Sequence, residues 1–147
     1  MTIFKPLVYL HCRQIGRDPF FKVPNLEYLN LAGNQIDKLN LLAFTTLTKL
    51  TQLDLSKNRI LDIPLGVFEA LANLSHLDLS YNSLSVLDAG TTFGLARLSY
   101  LDLKSNDIIR INASSLAFCP SLTTLTLSGK IGTRKESGRL MKAREFH

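Results

Sequence analysis

The sequence predicts an α/β-type solenoid, a stack of similar turns rather than a globule, and three observations lead to it. Asn34, Asn58, Asn82 and Asn106 recur every 24 residues. Leu29, Leu53, Leu77, Leu101 and Leu125 keep the same interval, as do Leu31, Leu55, Leu79, Leu103 and Leu127. Around these columns polar and apolar residues alternate, as in Gln52-Leu53-Asp54-Leu55-Ser56, the pattern of a short strand with one buried face. A fixed period of this kind marks a repeat whose units bury their apolar faces against one another.

Each 24-residue unit contributes one strand, and strands that recur in the same direction must pair in parallel, so the rest of each unit is the return crossover. The return has its own apolar columns: Leu39, Ile63, Leu87 and Ile111; Phe44, Phe68 and a Phe93 shifted by one residue; then Leu47, Leu71 and Leu95. All are expected to face one interior. Roughly seven such side chains per unit, at about 1.5–3 kcal/mol each, supply a stability that no single unit could hold. The asparagines stand where the strand bends into the return and leaves backbone donors and acceptors unpaired, and an amide can satisfy both kinds.

The pattern is clean over residues 26–129, with four clear repeats and a partial one. Residues 1–25 read as a degenerate first repeat or a cut N-terminal edge: Leu7, Cys12, Ile15, Phe20 and Val23 fall on the apolar columns, but Leu10 holds the asparagine position. After Leu127 the pattern fails at Lys130 and Gly132, and residues 130–147 read as a basic, off-pattern tail; the alternative is that its apolar residues, Ile131, Leu140, Met141 and Phe146, let it fold back over the last strand. With no visible cap beyond Leu122 to Leu127, the free strand edge is expected to invite self-association.

Charge is placed unevenly. Residues 1–129 carry 11 basic and 10 acidic groups, whereas residues 130–147 carry 6 and 2, so the formal charge of +5 belongs mainly to the tail and does not point to nucleic acid. No apolar run reaches the ~20 residues of a membrane span, and the start Met1-Thr-Ile-Phe-Lys-Pro6 does not resemble an export signal. Cys12 and Cys119 lie about four turns apart, on the order of 20 Å at strand spacing, too far to bridge. They are expected to pack as small hydrophobes.

The run Leu50-x-x-Leu53-x-Leu55-x-x-Asn58-x-Ile60-x-x-Ile63, with Phe68 ten residues past the asparagine, resembles the leucine-rich repeat superfamily. The 24-residue period resembles its "typical" extracellular subclass, which includes Toll-like receptor, Slit-like and adhesion ectodomains. The resemblance covers about residues 26–127 and implies a right-handed curved stack, a parallel sheet on the concave side and mostly irregular return segments. It implies macromolecular recognition without cofactor or catalysis. The chain departs from that subclass in lacking cysteine-rich caps.

The outward strand positions can vary without disturbing the core, and they form the candidate partner-binding surface. One column is Tyr28, Gln52, His76, Tyr100 and Thr124; the next is Asn30, Asp54, Asp78, Asp102 and Thr126; a third is Ala32, Ser56, Ser80, Lys104 and Ser128, with Tyr81 beside them. Aromatic rings on such a face are efficient anchors, and three aspartates give a shallow acidic stripe. His76 shares this face with Asp54, Asp78 and Asp102, but no second histidine or activated nucleophile accompanies it, so neither a metal site nor an active site is expected. Asn73-Leu-Ser75 and Asn112-Ala-Ser114 match the N-glycosylation pattern. These features point to a protein-recognition module, a fragment or short form of an extracellular or cell-surface protein. The alternatives are a cytoplasmic scaffold or adaptor, and a truncated form with no function of its own.

Overall fold

The computed structural model describes residues 13–127 and 140–142. Leu7, Leu10, Cys12, Ser128, Lys130 and Gly132, on which part of the sequence reading falls, lie outside them. The main sheet is built from β2 (Tyr28–Asn30), β4 (Gln52–Asp54), β5 (His76–Asp78), β7 (Tyr100–Leu103) and β9 (Thr124–Leu127), all parallel, followed by β10 (Leu140–Lys142). Leu29, Leu53, Leu77, Leu101 and Leu125 stand opposite one another without a slip of register. At the start of the return segments two narrower parallel pairs form: β1 (Gln14–Ile15) with β3 (Lys38–Leu39), and β6 (Val86–Leu87) with β8 (Arg110–Ile111). Among the described residues, helix is confined to α1 (Ala89–Thr92) and a 3-10 turn at Ala113–Leu116.

One contiguous core runs the length of the stack, with the strand leucines packed against Leu39, Phe44, Leu47, Ile63, Phe68, Leu71, Leu87 and Leu95 of the returns. Phe20, Phe44 and Phe68 form a spine with ring centroids 6.1 and 5.8 Å apart. Ile15, Phe20 and Val23 take the places that the period assigns them: Ile15 pairs with Leu39, Phe20 stacks on Phe44, and Val23 packs partly against the core.

Phe93 does not continue the spine. Asp88 caps the N-terminus of α1 by accepting a hydrogen bond from the Gly90 N–H at 2.9 Å, and the helical turn delivers Thr92 into the core in place of a phenylalanine. Thr92 is fully buried because its hydroxyl finds the Ser115 carbonyl of the next turn. Phe93 is left half-buried outside, edge-on to Phe118 with centroids 5.1 Å apart.

The asparagines bridge adjacent turns. Asn82 Oδ1 accepts from the Ile60 N–H at 3.0 Å, and Asn82 Nδ2 donates to the carbonyls of Leu55 and Leu79 at 2.9 and 3.0 Å. Asn58 and Asn106 repeat this pattern one turn before and one turn after. Asn34, half-buried, donates to the Leu31 carbonyl at 2.9 Å. The residue before each asparagine is left-handed, with φ of 70° at Gly33, 55° at Lys57, 54° at Tyr81 and 55° at Ser105. For the three that carry a Cβ this costs on the order of 1 kcal/mol, which the bridged bend offsets.

The C-terminal sheet edge is not bare, which corrects the expectation drawn from the broken repeat. β10 pairs antiparallel with β9, Leu140 opposite Thr126 and Lys142 opposite Thr124. Backbone pairing does not need the repeat motif, so a segment without that motif can close the ladder. Truncating the chain after residue 127 is therefore expected to expose β9 and cause concentration-dependent association in sedimentation velocity. A truncated chain that stays monomeric with unchanged thermal stability would contradict this role for β10.

Candidate functional site

Alternation along each strand turns the leucines inward and sets two columns of mainly polar and aromatic residues on the concave face. Register places Tyr28, Gln52, His76, Tyr100 and Thr124 in one row. Gln52 and His76 are exposed, while Tyr28, Tyr100 and Thr124 are half-buried. The rings of His76 and Tyr100 stack at 5.7 Å, and His76 Nδ1 lies 2.8 Å from Ser75 Oγ. Both tyrosine hydroxyls reach the second row: Tyr28 accepts from Asn30 Nδ2 at 3.1 Å, and Tyr100 donates to Asp102 Oδ2 at 3.3 Å. Partial burial, then the negative charge of Asp102, pushes the Tyr100 phenol above its ordinary value.

The second row is bound to the backbone as well as facing the open surface. Asn30, Asp54, Asp78 and Asp102 each accept, through Oδ1, the N–H two residues ahead, at 2.9, 2.9, 2.8 and 2.8 Å. These side chains hold the start of each bend, so the expectation that the outward strand positions can vary freely does not extend to this row. One oxygen of each carboxylate is spent, but its charge remains. Burial is the main influence raising the Asp78 carboxyl above the usual range, opposed by its hydrogen bonds to Ser80 and reinforced by the charges of Asp54 and Asp102. The acidic stripe thus repels itself along its length.

The third column does not form a surface. Ser56 and Ser80 are buried, because the chain has already begun to bend inward toward the asparagine ladder. Ala32 is half-buried, while Lys104 and Tyr81 are exposed at the rim, Tyr81 to 48%. Tyr28, Gln52, Leu53, Asp54, His76, Asp78 and Tyr100 together line a shallow depression of about 180 Å³, smaller than the ~300–1,000 Å³ of ordinary small-molecule pockets.

The face offers little for catalysis. The Ser75 hydroxyl also reaches the Thr51 carbonyl at 3.0 Å, and a serine that donates there is not an activated nucleophile beside His76. Cys119 is buried, and desolvation pushes its thiol up to about 11, which disfavours the thiolate. Among the described residues no group of three His, Cys, Asp or Glu side chains could hold a metal ion, and no helix is long and apolar enough to cross a membrane.

Sequence reasoning missed a second exposed surface on the return segments. Leu41 and Leu65 are 50% and 64% exposed, with Leu61 and Ile109 also open to solvent. The signal was present: Leu41 and Leu65 are 24 residues apart, and Leu61 and Ile109 are 48 apart, on columns other than those of the core. The two glycosylation motifs lie off the strand face and differ from one another. Asn73 links three turns, donating to the Thr48 carbonyl at 2.9 Å and accepting from Arg97 Nη1 at 2.7 Å. Asn112 precedes the 3-10 turn and makes no side-chain capping hydrogen bond.

Sequence and geometry agree on the class. The family model for the leucine rich repeat matches residues 10–60, 48–108 and 84–130, and the chain belongs to that family. It is similar in structure to the leucine-rich repeat domain of APL1, with 28% identity and a TM-score of 0.74 over 80% of this chain and 31% of that one. It is also similar to a chain of the LRIM1/APL1C complex, with 26% identity and a TM-score of 0.73 over 80% and 22% of the two chains. Toll in the Drosophila Toll–Spatzle complex shares the fold at 23% identity and a TM-score of 0.67, over 73% and 15%. The chain thus spans less than a third of the length of these relatives. No curated protein matches it significantly.

Proposed function

We propose that this chain is a non-enzymatic protein-recognition module of an extracellular or cell-surface receptor or adhesion protein, and that it binds a protein partner across its concave strand face. The observation that carries the reading is the row Tyr28, His76 and Tyr100, held in register on a rigid sheet beside the Asp54, Asp78 and Asp102 stripe. Stacked and hydrogen-bonded rings lose little rotamer freedom on binding, and the row is too open for a small ligand but suits the centre of a protein interface. Structural relatives occur in protein complexes, LRIM1 with APL1C and Toll with Spatzle. The self-repelling stripe favours a basic partner, whose charge would lower the Asp78 carboxyl back toward its ordinary range.

The charge claim is tested by replacing Asp54, Asp78 and Asp102 with asparagine. Asn30 already serves the same bend in the first strand, so the fold should tolerate the change. Against a partner captured by the native chain, association is expected to slow at low salt and to lose most of its salt dependence, with dissociation little altered. An association rate that does not respond to the triple substitution would remove the stripe from the interface.

A further inference from the structure

Asn40, Pro64, Asp88 and Asn112 occupy the same place in successive turns, where the chain enters its return segment. At two of them the side chain works for the backbone: Asn40 Oδ1 accepts from the Leu42 N–H at 2.9 Å, and Asp88 Oδ1 accepts from the Gly90 N–H at 2.9 Å. Asn112 is the exception. It leads into the 3-10 turn with extended backbone angles of −80° and 136° and makes no side-chain capping bond. It is half-buried, and Ser114, two residues on, is exposed. Asn73 opens the other acceptor motif, but its amide nitrogen and oxygen are both engaged, with Thr48 and Arg97.

We propose that Asn112 is the preferred acceptor for an N-linked glycan when this chain is exported, and that its glycan projects from the return side and leaves the concave face open. This rests on the extracellular reading given above. The donor would be a lipid diphosphate-linked oligosaccharide. Asn112 Nδ2 forms the bond to the anomeric carbon, the carbon–oxygen bond to the lipid diphosphate breaks, the diphosphate leaves with its electron pair, and the amide loses one proton. At Asn112 the fold loses no hydrogen bond when the nitrogen is substituted. At Asn73 the sugar would crowd the Thr48 carbonyl and the Arg97 guanidinium, which join it to the turns on either side.

The test is to secrete the full chain from animal cells behind an appended export signal, remove glycans with an endoglycosidase that converts the linked asparagine to aspartate, and map both peptides by mass. Asn112 is expected to be occupied in most molecules and Asn73 in a small minority. Asn112→Gln and Ser114→Ala should each abolish the main mass shift, while Asn73→Gln should keep it. Circular dichroism of each secreted variant separates loss of glycan from loss of fold. An unmodified Asn112 in folded, secreted wild-type chain, or a shift that survives Asn112→Gln, overturns the proposal. Because the signal is supplied, this outcome is independent of the native compartment. Tyr100→Ala binding is a separate readout of the recognition reading.

Discussion

Asn82→Leu is expected to lower the stability of the array by about 3 kcal/mol, moving its urea midpoint by ~1–3 M, whereas Asp78→Ala in the same turn should cost about 1 kcal/mol. The leucine fits the interior by volume but strands the Ile60 N–H and removes one of two amide donors from each of the Leu55 and Leu79 carbonyls, which keep Asn58 Nδ2 and Asn106 Nδ2, so three backbone groups are weakened at once. Two of the three belong to the preceding turn, so the loss uncouples neighbours rather than loosening one loop. Asp78→Ala removes one acceptor from the Ser80 N–H at the edge of the bend. Asp78→Asn should be nearly neutral, since it keeps that acceptor. If Asn82→Leu and Asp78→Ala share a midpoint, the ladder is not what couples the turns.

The contrast shows what the residues disclosed and what they withheld. Buried leucines on a strict period and the asparagine column were legible, because the same physical problem recurs every 24 residues and receives the same answer. The role of Asp78 was only half legible. Alternation placed it correctly on the outer face, but its bond to the Ser80 N–H depends on a bend angle that polarity does not encode. The burial of Ser56 and Ser80 was lost for the same reason. Thr92 replaced Phe93 because the α1 turn changes the phase of the return, and a column count assumes constant phase. β10 was only half legible: Leu140 and Met141 offered the tail a way to fold back over the last strand, but pairing by backbone leaves no mark in the repeat pattern. Tyr81 shows the limit most clearly: its exposure was expected, but its left-handed backbone is hinted at only by Gly33 in the same column.

Gly94→Ala is the second large effect. Gly94 has φ of +90°, and a methyl group there would lie 2.5 Å from Glu69 Cα and 3.1 Å from Glu69 N. These are backbone atoms of the neighbouring turn and cannot rotate away, so the two turns must separate and the Leu95 and Leu71 packing must shift. A loss of about 3 kcal/mol is expected from strain and displaced packing together. Gly33→Ala is the matched control. Its φ of +70° is also left-handed, but a methyl group would meet nothing within 4 Å, leaving only about 1 kcal/mol of backbone strain. Thermal unfolding of the two variants checks this. Equal losses would mean that close approach of the turns contributes nothing beyond backbone strain.

The concave strand face as the contact surface is tested most directly by dissociation rates from a captured partner for Tyr100→Ala and Leu65→Ser. Tyr100 stands in the aromatic row against His76, and Leu65 is the most exposed member of the return-side pair with Leu41. Neither change should unfold the array, since Tyr100 is half-buried on the outer face and Leu65 is 64% exposed. Tyr100→Ala is expected to speed dissociation by about 30-fold, the equivalent of ~2 kcal/mol for a central anchor, with Leu65→Ser within about twofold of the native chain. Faster dissociation for Leu65→Ser with an unchanged rate for Tyr100→Ala would place the interface on the return side and contradict the account.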